Sequence, residues 1–115
     1  MDVDVLFAGV AVTDFETARA WYEQFFGRVA DVVAHDTEVM WQTTDLGWLY
    51  IVRDLDHAGN SLVALVVPDI EAATAALNVR GIATGPIEPE GDAGRKAVIR
   101  DPDGNSIALL DVAGA

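Results

Sequence analysis

The chain has 115 residues, no cysteine, and seven Lys and Arg against nineteen Asp and Glu, for a formal net charge of −12. That length builds one core without staples, and the missing cysteine excludes disulfides, thiolate metal sites and cysteine nucleophiles. The acidity repels nucleic acid and anionic lipid and attracts cations, so the sequence predicts neither a nucleic-acid nor a membrane partner.

Met1-Asp2-Val3-Asp4 lacks the basic-then-apolar layout of a signal peptide, and no apolar run approaches a membrane span, so a cytoplasmic protein is expected. Residues 5–12 are apolar and partly β-branched and predict a strand ending at Thr13-Asp14. A helix follows: Thr13 with Glu16 fits a capping box, and Asp14 is an alternative N-cap. Phe15, Ala18, Tyr22 and Phe25 form one helical stripe, and Gly27 ends it. Strands are predicted at 28–34, 38–44 and 47–53, with a linker over 54–60.

The same order then returns. Val10-Ala11-Val12-Thr13-Asp14-Phe15-Glu16-Thr17-Ala18 reappears as Leu65-Val66-Val67-Pro68-Asp69-Ile70-Glu71-Ala72-Ala73, at a constant offset of 55 residues. A strand at 61–67, a helix with the stripe Ile70, Ala73 and Leu77 ending at Gly81, and strands at 83–88, 95–100 and 105–112 complete the second unit. The prediction is an α+β fold of two tandem βαβββ modules in one domain, the first about 1–57 and the second about 58–115. Asp101-Pro102-Asp103-Gly104 is the clearest local signal: Pro presets φ, Gly supplies a positive φ, and a tight hairpin results. The polar segment 88–94 reads as a solvated loop, with a lid over a cleft as the alternative.

Phe15-Glu16-Thr17-Ala18-Arg19-Ala20-Trp21-Tyr22-Glu23-Gln24-Phe25-Phe26-Gly27, together with Asp101-Pro102-Asp103-Gly104-Asn105 before the last strand, resembles the vicinal oxygen chelate superfamily. Its members include glyoxalase I, extradiol dioxygenases, fosfomycin-resistance transferases and bleomycin-resistance proteins. The resemblance covers essentially the whole chain and implies sheets curled around a cleft, helices outside, and a homodimer that builds two clefts. In metal-dependent members it also implies a divalent cation held by His or Gln in the first strand, His in the equivalent strand of the second module, and Glu in a last strand. Here those positions hold Phe7, Leu62 and Ala108, and the remaining carboxylate position falls near Tyr50. None donates as a carboxylate or imidazole does, whereas a cation needs about four or more N or O donors. Neither a metal nor another cofactor is expected. His35 and His57 sit with acids in separate loops, where a functional metal is not expected either.

Strand alternation turns Phe7 and Gly9 to the cleft, with Leu62 and Ala64 from the second module and Ser106, Ala108 and Leu110 from the last strand. Trp41, Trp48 and Tyr50 complete an aromatic box for a planar or cationic ligand, the alternative for each being a place in the core or a dimer interface. The leading expectation is therefore a metal-independent, bleomycin-resistance-like homodimer that sequesters a small aromatic or cationic molecule, antibiotic-like in kind. The alternatives are a glyoxalase-like lyase or dioxygenase, a metal-free tailoring enzyme for a small metabolite, and an interaction module whose cleft is filled by its own side chains. Carboxylates abound, but nothing singles out a catalytic pair, and no Ser-His-Asp arrangement, phosphate loop or dinucleotide fingerprint is present.

Overall fold

A computed structural model describes residues 1–92 and 94–112, so residue 93 of the predicted 88–94 loop, and 113–115 at the end of the second module, lie outside the described residues. The first unit runs β1 (Leu6–Val12), α1 (Phe15–Phe26), β2 (Val32–His35), β3 (Glu38–Thr44) and β4 (Gly47–Arg53). The second runs β5 (Leu62–Val66), α2 (Ile70–Val79), β6 (Glu88–Pro89), β7 (Gly94–Arg100) and β8 (Ser106–Val112). Each unit makes a four-stranded mixed sheet, in the orders β1-β4-β3-β2 and β5-β8-β7-β6. The parallel pairs β1/β4 and β5/β8 match each other, as the sequence repeat requires. The sheets are not closed on one another, and β1 and β5 each stand at an edge.

Asp14 and Asp69, not Thr13, cap the helices: their carboxylates accept from the N–H groups of Thr17 and Ala72. Thr13 turns to the other module, where its hydroxyl donates to Asp103 at 2.6 Å. Gly27 ends α1 at φ 71, a conformation that L side chains rarely adopt. Two strands are shorter than the pattern predicts. β2 begins only at Val32 because Arg28 and Asp31 bind each other and the backbone of Gln42 across the turn. The strand expected at 83–88 largely fails to form: β6 covers only Glu88–Pro89, sharing just Glu88 with it and entering the segment read as a loop, and Pro86 has no N–H to give a ladder through 83–87.

One core spans both units. Phe15, Ala18, Tyr22 and Phe25 of α1 share it with Val10 and Val12 of β1, Leu49 and Ile51 of β4, Ile70 and Leu77 of α2, and Ile107 and Leu109 of β8. Each fully buried large aliphatic side chain here contributes about 1.5–3 kcal/mol of burial energy. The polar knot beside this core is centred on the buried carboxylate of Asp101. One oxygen accepts from the backbone N–H groups of Asp103 and Asn105 at 3.0 and 2.9 Å, and the other from Tyr22 Oη and Asn105 Nδ2, both at 2.8 Å. Asn105 also donates to the Ala11 carbonyl and accepts from the N–H of Ser61, joining the turn to β1 and to the start of β5. The predicted Asp-Pro-Asp-Gly hairpin is therefore also the clasp between modules.

Candidate functional site

Period-2 alternation gives each sheet one face under the helices and one open face. In the first sheet, Phe7 and Gly9 of β1 lie opposite Trp48 and Tyr50 of β4, all on the open side. The rings of Phe7 and Trp48 stack with centroids 5.8 Å apart and planes 17° apart, while Phe7 stays 48% exposed. Tyr50 lies across Gly9 so closely that a Cβ there would fall 2.4 Å from the Tyr50 hydroxyl oxygen. An aromatic shelf of this kind offers a π-face to a planar or cationic molecule, worth about 0.5–2 kcal/mol per well-placed contact.

In the second sheet, Leu62 lies opposite Ser106, Ala64 opposite Ala108 and Val66 opposite Leu110. Leu62 is 87% exposed. Small side chains at 64 and 108 make this patch shallow where the first is built up. Val98 and Lys96 of β7 continue the patch, and the Lys96 ammonium is paired with Glu90 at 2.8 Å, which raises its pKa. Arg95 points to the helix side, where Glu71 and Asp111 hold it.

Trp41 does not join the box. It is 0% exposed, on the opposite face of β3, with its ring stacked on Phe26 and its indole N–H donating to the Arg28 carbonyl. The cause is register: Trp41 pairs with core Leu49, whereas Met40 and Gln42 pair with Tyr50 and Trp48. Met40, Gln42 and Glu38 are thus the β3 residues that share the aromatic face. Alternation along β3 carried that signal, but only the register of the β3–β4 hairpin says which parity faces out.

The donor chemistry does not fit a cation. Phe7, Leu62 and Ala108 carry no ligating atom, and no group of three or more His, Asp or Glu side chains converges among the described residues. His57 is paired with Asp54 at 2.8 Å, and that hydrogen bond holds the Asp54 carboxyl below its usual range; His35 faces Glu38 at 3.6 Å.

A cavity of 560 Å³ lies between the modules, lined by helix-side residues and, at the sheet edges, by Gln42, Trp48, Ala64 and Val66 of the open faces. Phe25, Phe26, Leu49, Leu65, Leu77 and Leu109 contribute its apolar walls, and Arg28 and Arg80 its charged groups. Of the predicted site residues, Trp48 and Ala64 reach it. Sequence reasoning did not find this cavity, because it joins residues from seven elements whose relative placement no local pattern records.

Two open-faced βαβββ sheets that share one core define the paired-module class of fold. The chain belongs to the Glyoxalase/Bleomycin resistance protein/Dioxygenase superfamily, whose profile matches residues 5–109. It is similar to a glyoxalase/bleomycin resistance protein from Catenulispora acidiphila DSM 44928, at 38% identity and TM-score 0.89, over 96% of this chain and 99% of that one. It is also similar to TnmS3, an antibiotic binding protein from Streptomyces sp. CB03234, at 25% identity and TM-score 0.77, over 97% of this chain and 98% of that one. A bleomycin-binding protein complexed with bleomycin shares the fold at 21% identity and TM-score 0.75, over 95% of this chain and 98% of that one. No curated protein matches the chain. Among the described residues no helix is long and apolar enough to cross a membrane.

Proposed function

We propose that this protein binds and sequesters a small planar aromatic or cationic molecule in the cytoplasm, without a metal and without chemical turnover. The carrying observation is the exposed Phe7–Trp48 stack, which occupies the sheet face where metal-dependent relatives would present a ligand. The likeness to an antibiotic binding protein at 25% identity supports the same reading. In this proposal a second copy of the chain completes each cleft. Its Leu62, Ala64, Ser106, Ala108 and Leu110 come to lie across from Phe7, Gly9, Trp48 and Tyr50. The net charge of −12 favours a cationic ligand over an anionic one.

Isothermal titration against cationic glycopeptide and planar aromatic antibiotics, followed in parallel by tryptophan fluorescence, tests the proposal. Saturable binding is expected, lost on Phe7→Ala. No binding across the panel, or stoichiometric nickel, zinc, manganese or iron in protein purified without chelator, would overturn it.

A further inference from the structure

We infer that the cavity between the modules is a second binding site, for a small molecule with an apolar or aromatic body and one carboxylate. Its volume of 560 Å³ lies in the range of small-molecule pockets, and its walls are mainly aliphatic and aromatic. The charge of its lining runs against that of the chain. Nineteen acids outnumber seven bases overall, yet the charged side chains lining the cavity are both arginines, Arg28 and Arg80.

The two arginines are in different states. The Arg28 guanidinium already carries an ion pair with Asp31 at 2.6 Å and a hydrogen bond to the Gln42 carbonyl. Arg80 is half-buried and has no carboxylate partner among the described residues. Its Nε and one Nη donate to the carbonyls of Gln24 and Phe25 in the last turn of α1. Those carbonyls supply only the partial negative charge of a helix C-terminus. A guanidinium has five N–H donors in a fixed fork, so Arg80 keeps donors for a carboxylate after serving α1. Half-burial beside apolar walls makes such a charge-assisted pair stronger than one in open water. Thr43 and Thr44 add hydroxyls to the lining.

Of the shelf residues only Trp48 reaches this cavity, and the cavity selects the opposite charge. The probes are 1-naphthoate, 1-naphthalenemethanol and 1-naphthylmethylamine, which share one ring system and differ in charge, each measured by isothermal titration on the full chain. Naphthoate is expected to bind at least tenfold more tightly than the alcohol and the amine. Arg80→Gln should weaken it tenfold or more, while the charge-matched Arg53→Gln, an exposed arginine outside the cavity lining, leaves it unchanged. Since Arg80 also supports α1, a second variant keeps the guanidinium: Ala76→Leu fills the cavity and should abolish naphthoate binding while the protein remains folded by circular dichroism.

Equal affinity for the three probes, or naphthoate binding indifferent to both cavity variants, overturns the inference. Loss of naphthoate binding as the protein self-associates with rising concentration also overturns it and assigns the cavity to a second copy.

Discussion

Tyr22 and Asp101, 79 positions apart, share a buried hydrogen bond of 2.8 Å that fixes α1 of the first module to the β7–β8 turn of the second. Among the described residues, the phenol is the only one of the four donors to the Asp101 carboxylate that comes from outside its own turn. Tyr22→Phe leaves the ring in the core and removes this one donor. Urea denaturation should show a loss of about 1–3 kcal/mol, the usual range for stripping one partner from a buried charged acceptor.

The same pair sets an alkaline limit on stability. Burial, followed by the Asp101 charge, raises the Tyr22 pKa well above its ordinary value. In the unfolded chain that phenol titrates near pH 10. Above about pH 10 the unfolded state therefore loses a proton that the native state keeps, and stability falls as pH rises, with the contribution intact below that point. Urea midpoints measured from pH 8 to 11 should decline, and Tyr22→Phe should flatten the decline. An unchanged slope in the variant would assign the effect to other groups.

The tryptophans separate folding from binding. Trp41→Ala empties a fully buried site under α1 and should cost about 3–5 kcal/mol by chemical denaturation. Trp48→Ala removes half of a surface stack and should leave a cooperative, folded protein that no longer binds the ligand of the aromatic shelf. Equal destabilisation by the two variants would place Trp48 in the core as well.

Gly9 is a steric test of the shelf. A methyl group at this position would sit 2.4 Å from the Tyr50 ring end, so Gly9→Ala must swing that ring away. The clash falls on the end of a flexible side chain rather than on backbone, so melting temperature should change little while affinity for the shelf ligand drops. Affinity equal to wild type would remove Tyr50 from the site.

Divalent metals should not stabilise the fold. A genuine site with a Kd of about 1 μM, exposed to about 100 μM metal, would add about 2.7 kcal/mol. Thermal melts with nickel, zinc or manganese at that concentration are expected to match the metal-free melt, and an upward shift of several degrees would contradict the donor argument.

Most of the strand and helix pattern was legible in the sequence, because period-2 alternation, helical stripes, N-caps and the Asp101–Gly104 turn are set by backbone geometry over a few residues. The 55-residue repeat added the tandem architecture, and the identities of Phe7, Leu62 and Ala108 argued against a metal before any coordinates. Two strand boundaries were not legible. β2 was cut back by the Arg28–Asp31 bridge, and β6 formed at Glu88–Pro89, past most of the predicted 83–88, where Pro86 denies a ladder its N–H.

What only the tertiary structure decided depends on pairs far apart in the chain. Hairpin register put Trp41 in the core and Met40 and Gln42 on the open face, a choice that a one-residue slip would reverse. Packing of the modules through Tyr22, Asp101 and Asn105 fixed how the two units share a core, and the same packing left a cavity with Arg80 in its lining. The sequence by itself thus determined two similar modules with an apolar set of residues where metal ligands would stand. The structure decided which aromatics are presented and where the cavity lies, because register and inter-module contacts are long-range choices that no local pattern encodes.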